Sequence, residues 1–142
     1  ANDEERVRAY LAALRRGGML RQASALRATL VWAHPDADLA LYASHPGLSL
    51  SRPEDLAPEF GLEAFDVAEQ EPGTYRFEVR RGAHDSLGSV DAKLVVVLRE
   101  GARDERIAVF PLRFDATHRS FAFAVEGDAV RTATPTQPEA GR

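Results

Sequence analysis

The spacing of apolar residues changes once along this chain, from a helical repeat to a strand repeat. Over residues 3–16, Val7, Tyr10, Leu11 and Leu14 fall at i, i+3, i+4 and i+7, one stripe of a short amphipathic helix. Both ends carry the matching signals. Asn2 can cap the first turn with Glu5 reaching back to it, acidic residues sit at the positive end of the helix dipole with Arg15 and Arg16 at the negative end, and Gly17-Gly18 stops the helix. A helix this short is marginal alone, so its stripe is expected to pack on something: this domain's sheet, which we favour, or a preceding helix of a parent chain.

From about Ala25 the period falls to two, and turn residues recur between short segments rich in Val, Leu, Phe and Tyr. Seven strands are predicted. Residues 25–33 put Leu26, Ala28, Leu30 and Trp32 on one face, and His34-Pro35-Asp36-Ala37 turns the chain into a second strand at 38–44. A long connection with Pro46, Pro53 and Pro58 leads to a third strand at 61–67. After the turn Glu71-Pro72-Gly73, Tyr75, Phe77 and Val79 alternate with Arg76, Glu78 and Arg80, so the fourth strand has one wet face. Residues 89–99 are apolar on both faces, which predicts a central strand covered on its second side by the N-terminal helix. Pro111 interrupts the donor ladder of the strand at 105–114, which predicts an edge or a bulge. A last strand at 119–126 carries Phe121, Phe123 and Val125 inward. The fold expected is all-β, an antiparallel β-sandwich of about seven strands, jelly-roll or Ig-like, behind a short N-terminal amphipathic helix. The boundaries expected are 1–18 for the helix, 19–127 for the sandwich and 128–142 for a disordered tail or linker.

Composition narrows the partners. A chain of 142 residues fits one domain and buries roughly two thirds of its unfolded surface, so it needs no disulfide or metal to fold. The absence of cysteine excludes thiolate zinc sites, iron–sulfur clusters and cysteine nucleophiles, while leaving the compartment open. The net charge is −4 with both signs interspersed, and no basic face for DNA or RNA is expected. Lys93 is the only lysine among many arginines and alanines, a codon bias typical of a GC-rich bacterial genome. No apolar run approaches the roughly 20 residues of a membrane helix, so a soluble domain without membrane insertion is expected. The start at Ala1 rather than Met leaves room for a leader or upstream domains and suggests a module cut from a larger polypeptide.

Chemistry-bearing residues are sparse. Asp36 and Asp38 flank a turn, and with Glu63 from a neighbouring strand they offer oxygens for a calcium ion, which takes six to eight; the simpler reading is that the two aspartates fix the turn by accepting backbone N–H groups. His34, His45, His84 and His118 fall in predicted turns or loops without zinc-site spacing, and are read as solvated. Ser44, Ser86 and Ser89 lack a nucleophile elbow, and Gly17-Gly18 ends a helix rather than opening one, so neither a hydrolase nor a phosphate loop is indicated. Trp32 shares parity with Leu26 and Leu30 and belongs in the core. Tyr42 is opposite in parity to Leu39 and Leu41 and is the better candidate for a sugar-binding aromatic. Arg76, Arg80 and Arg81, with Arg52 or Arg99, offer a cationic face whose default role is solvation.

Three segments in order resemble the bacterial YfaP-type domain of unknown function, and more loosely the bacterial pre-peptidase C-terminal domains. They are Leu30-Val31-Trp32 leading to Asp36-Ala37-Asp38-Leu39, then Gly61-Leu62-Glu63-Ala64-Phe65, then Pro72-Gly73-Thr74-Tyr75-Arg76-Phe77-Glu78-Val79. The resemblance spans about residues 26–126. It implies a small β-sandwich that accompanies other domains in periplasmic, envelope or secreted proteins, without catalytic residues of its own. Where such domains carry a Gly- and Asp-rich loop, this chain has Ser44-His45-Pro46-Gly47-Leu48, so no metal site is carried over. The function expected is a non-catalytic accessory module that docks on other domains of its chain or on another protein, as a monomer or weak dimer. The alternatives are a ligand-binding accessory domain for calcium or a glycan and, more distantly, a hydrolase.

Overall fold

The computed structural model describes residues 24–34, 37–46, 48–51, 62–82 and 88–135. The expected N-terminal helix lies outside the described residues. Among the described residues nine strands run in chain order: β1 (Leu26–Trp32), β2 (Leu39–His45), β3 (Leu48–Ser51), β4 (Leu62–Val67), β5 (Tyr75–Arg81), β6 (Val90–Leu98), β7 (Arg106–Phe114), β8 (Ser120–Glu126) and β9 (Ala129–Ala133). They form two antiparallel sheets, one of four strands in the order β4-β1-β6-β7 and one of five in the order β3-β2-β5-β8-β9.

Alternation explains why the two sheets share one interior. Leu26, Ala28, Leu30 and Trp32 of β1 and Leu94, Val96 and Leu98 of β6 join Leu39 and Leu41 of β2, Tyr75, Phe77 and Val79 of β5 and Phe123 and Val125 of β8 in a single buried cluster. Trp32 is in it, as its parity predicted. Aromatic pairs tie the sheets together at both sides: Phe65 of β4 meets Phe77 of β5 edge-on at 5.6 Å, Phe110 of β7 lies 4.7 Å from Phe123 of β8, and Phe114 meets Phe121 at 5.0 Å. Tilted and edge-on rings of this kind add about 0.5–1.5 kcal/mol per pair beyond the area they bury.

The strand placements at 25–33, 38–44, 61–67, 89–99, 105–114 and 119–126 and the Arg/Glu-lined fourth strand all have counterparts. β6 is internal, with β1 on one side and β7 on the other, and β7 with Pro111 is an edge strand, as the missing donor required. The sequence missed two strands. β3 lies in what reads as a proline-rich connection, because only four residues follow the Pro46 turn before the pattern stops. β9 corrects the tail assigned to 128–142: residues 129–133 pair with β8 in full register, from Glu126 opposite Ala129 to Ala122 opposite Ala133. The connection is the two-residue turn Gly127-Asp128, with φ +59° at Gly127, a glycine-first hairpin turn that continues the sheet rather than ending it.

The register also fixes two ends. At the near end β1 and β7 begin and β4 and β6 finish, since Leu26 faces both Val67 and Leu98 and Leu98 faces Arg106. At the far end β1 finishes, β2 begins and β5 finishes, with Leu39 opposite Arg81.

Candidate functional site

The outward face of the five-stranded sheet carries a row of polar side chains on β2 and β5. β5 alternates, so Tyr75, Phe77 and Val79 enter the core while Arg76, Glu78 and Arg80 stand on the other side. Glu78 is only 2 % exposed, although it sits on the outward face. Its carboxylate accepts from Arg76 Nε at 3.4 Å and from Arg80 Nη2 at 3.3 Å, so a buried anion is clamped between two half-buried cations. Tyr42 stands opposite Glu78 on β2, and the Arg80 guanidinium lies over its ring, 4.5 Å from the centroid. Arg76 also donates to the Thr134 carbonyl just past β9, while Arg80 Nε is buried without a hydrogen-bond partner. On the β8 side the row is flanked by Ala122 and Ala124, small and buried.

The chemistry of this face follows from those contacts. Three charges sum to one net positive charge, the carboxylate is satisfied internally, and the guanidinium faces left over are held in place by stacking and ion pairing rather than swinging freely. Guanidinium groups held in this way present N–H donors of a geometry that suits a carboxylate. Of the cationic residues picked from sequence, Arg76 and Arg80 do share this face. Arg81 has the opposite parity and is buried, and Arg99 lies in the hairpin after β6, bound to Asp104 and Asp128. Arg52 lies outside the described residues. Sequence parity found the two arginines and Tyr42, but not that Glu78 is buried between them.

The candidate calcium residues are placed only in part. Asp36 lies outside the described residues, and of Glu63 only the backbone is described, opposite Leu30 toward the far end of β4. Asp38 stands at the same end, before β2. Its carbonyl accepts the Gly82 N–H at 2.7 Å, and its carboxylate lies so close to Gly82 that a Cβ there would collide with it. Among the described residues no group of three His, Asp or Glu is gathered for a metal. For Tyr42 as a sugar platform, one ring face is already taken by Arg80.

The histidines divide. His34 and His118 are exposed, as the sequence suggested, and His84 lies outside the described residues. His45 is a correction: it is the last residue of β2, it is buried, its Nε2 lies 2.8 Å from the Pro72 carbonyl, and its ring stacks on Tyr75 at 4.3 Å. Parity with Leu39, Leu41 and Ala43 turns it inward, where the Pro72-Gly73 turn closes over it. His118 pairs with Asp115, whose carboxylate also accepts the backbone N–H groups of His118 and Thr117 at 2.7 and 2.8 Å. Those backbone donors, His118 first, hold the Asp115 carboxyl below its ordinary range.

A second charged cluster, not anticipated from sequence, lies at the near end. Arg27 of β1, 1 % exposed, donates from Nε and Nη2 to Glu100 at 3.1 and 2.9 Å, and from Nη1 to Asp66 at 2.8 Å. The Ser24 N–H donates to the same Glu100 carboxylate at 3.1 Å. This two-pronged ion pair joins the start of β1 to the hairpin after β6 and is structural in its geometry.

Compared with family models, curated proteins and solved structures, the chain matches none. Among the described residues no helix is long and apolar enough to cross a membrane.

Proposed function

We propose that this chain is a β-sandwich accessory module of a larger bacterial protein, similar to the YfaP-type domain, that works by docking a protein partner rather than by catalysis. The partner is another domain of the same polypeptide or a separate protein, and the docking surface is the outward face of the five-stranded sheet. One observation carries this: Tyr42, Arg76 and Arg80 are stacked and ion-paired around the buried Glu78 carboxylate. Tyr and Arg anchors that lose little freedom on binding dominate the energetics of protein interfaces. One cleft between the sheets, lined by Val96, Leu98, Ala108 and Val130, has a volume of about 20 Å³, room for about one water molecule. A periplasmic or envelope location accords with the resemblance.

The alternative is a ligand-binding module taking calcium at Asp36, Asp38 and Glu63 or a glycan at Tyr42. For the glycan, one face of the Tyr42 ring is already covered by the Arg80 guanidinium.

Selection of short random peptides on the full chain tests the docking reading. Peptides with Asp or Glu beside an apolar residue should be enriched, and they should bind Arg80→Ala or Tyr42→Ala about tenfold more weakly, the ~1.4 kcal/mol scale of an interface anchor. Peptides that bind the variants as tightly as the parent would remove docking from this face.

A further inference from the structure

Among the described residues the two sheets have four edge strands, and two of them are blunted. On β7 the missing donor of Pro111 breaks the row of backbone groups, and β3 has four residues and shifts register against β2. β9 is open. Its five residues pair with β8 without a bulge, and no proline interrupts Ala129–Ala133. The two-residue Gly127-Asp128 turn makes Glu126 and Ala129 the hydrogen-bonded closing pair of the hairpin, and the ladder alternates from there. The N–H and C=O groups of Val130 and Thr132 therefore point away from β8, along the free edge.

The side chains of this edge divide by face. Arg131 stands outward, exposed, level with Ala124 of β8 and Arg76 of β5. Among the described residues it has no hydrogen bond or ion pair, and Glu126, an exposed acid on the same face of β8, does not pair with it. Asp66, the charge on the edge strand β4, is by contrast held by Arg27. On the inward face Thr132 is exposed, and Val130, like Ala108 and Phe110 of β7, is only partly buried against the core. The hairpin is anchored from outside its own sheet. Arg99 pairs with the Asp128 carboxylate, Arg106 Nη1 donates to the Asp128 carbonyl at 2.9 Å, and Gln70 donates to the Gly127 carbonyl at 3.2 Å. An edge held in place in advance loses little freedom when a partner arrives.

We propose that the free edge of β9 receives an extended segment of a partner protein as an added strand, antiparallel to β9, with Asp or Glu opposite Arg131 and apolar residues on either side of it. The backbone groups of Val130 and Thr132 form the new ladder. The position opposite Arg131 is then a non-hydrogen-bonded pair, where side chains approach most closely and an opposite charge is favoured. The flanking apolar residues turn inward beside Val130 and Thr132, on the open side of the sandwich. The same charge decides against a second copy of this chain: pairing over all five residues of β9 would set Arg131 opposite Arg131 of the copy, and like charges there repel. The site is independent of the Tyr42 face, since β5 and β8 separate β2 from β9.

The test is amide hydrogen exchange by NMR on the full chain, with the synthetic peptide Ser-Thr-Val-Glu-Val-Thr-Ser and its counterpart carrying Lys in place of Glu. The Glu peptide is expected to slow exchange at Val130 and Thr132 and to bind about tenfold more tightly than the Lys peptide. Arg131→Glu should reverse that order. Should the variant fail to fold, the two peptides compared on the unaltered chain decide alone. No protection at Val130 and Thr132 overturns the proposal. Equal affinities for the two peptides do the same, since the edge would then be indifferent to charge, as does protection that rises with protein concentration alone, which would make a second copy the occupant. Shifts confined to Tyr42, Arg76 and Arg80 would also overturn it, while leaving docking at that face intact.

Discussion

Glu100 shows how much one side chain can hold at a place the sequence marks only as a turn. It accepts from the Arg27 guanidinium and from the Ser24 N–H while its own side chain is 1 % exposed. Removing one partner of a buried pair strands the other charge, so Glu100→Ala should lower stability by about 3–5 kcal/mol in urea unfolding. Arg27→Met combined with Glu100→Leu should recover most of that loss, since replacing both charges avoids the uncompensated ion; a loss under about 1 kcal/mol in the single variant would mean the pair is hydrated. Asp115 gives a pH-dependent counterpart. Its folded value lies below the ordinary 3.8, so the folded state binds its proton less readily than the unfolded chain does. Asp115 therefore favours folding above that ordinary value, and its contribution fades as pH falls through the lower folded value. Asp115→Asn should flatten this part of the acid-stability profile, and a carboxyl NMR titration should place Asp115 below the exposed aspartates. Neither role can be read from sequence: Glu100 and Asp115 look like other acidic turn residues until the partners 73 positions away at Arg27, or the geometry of the turn to His118, are known.

Among the elements, strong alternation made seven strands legible, and weak alternation hid two. β9 offers a single large apolar residue, Val130, which packs against the core while the rest of the strand is largely exposed. What marks it is the Gly127-Asp128 turn, a hairpin signal that outweighs the composition after it. β7 makes the complementary point, since one proline told its position in the sheet. Pro111 faces Lys93 of β6 in register, and its missing donor leaves a gap in a nine-residue edge that would otherwise invite another strand. Pro111→Val should restore that donor, and concentration-dependent dimerisation is expected by sedimentation. A variant that stays as monomeric as the parent would show that the edge is protected by other means.

At the scale of the whole molecule, the two functional readings separate by linkage. If docking is the function and Asp38 only fixes its turn, thermal unfolding in excess calcium and in excess chelator should superimpose, and Asp38→Ala should lower both midpoints equally. Calcium binding at about 100 times its dissociation constant would instead add roughly 2.7 kcal/mol, visible as a rise that Asp38→Ala abolishes, and would transfer the function to ligand binding. The sequence by itself determined the all-β class, the inward residues of β1, β5, β6 and β8, the edge position of β7 and the outward parity of Tyr42, Arg76 and Arg80, because period and proline chemistry are local. Only the tertiary structure decided which strands are neighbours, that Glu78 and Arg27 are buried ions, that His45 is a core residue and that Val95 and Val97 are buried outside the cluster between the sheets. Each of those depends on a partner distant in sequence, and burial is a property of what packs above a residue, which no local pattern records.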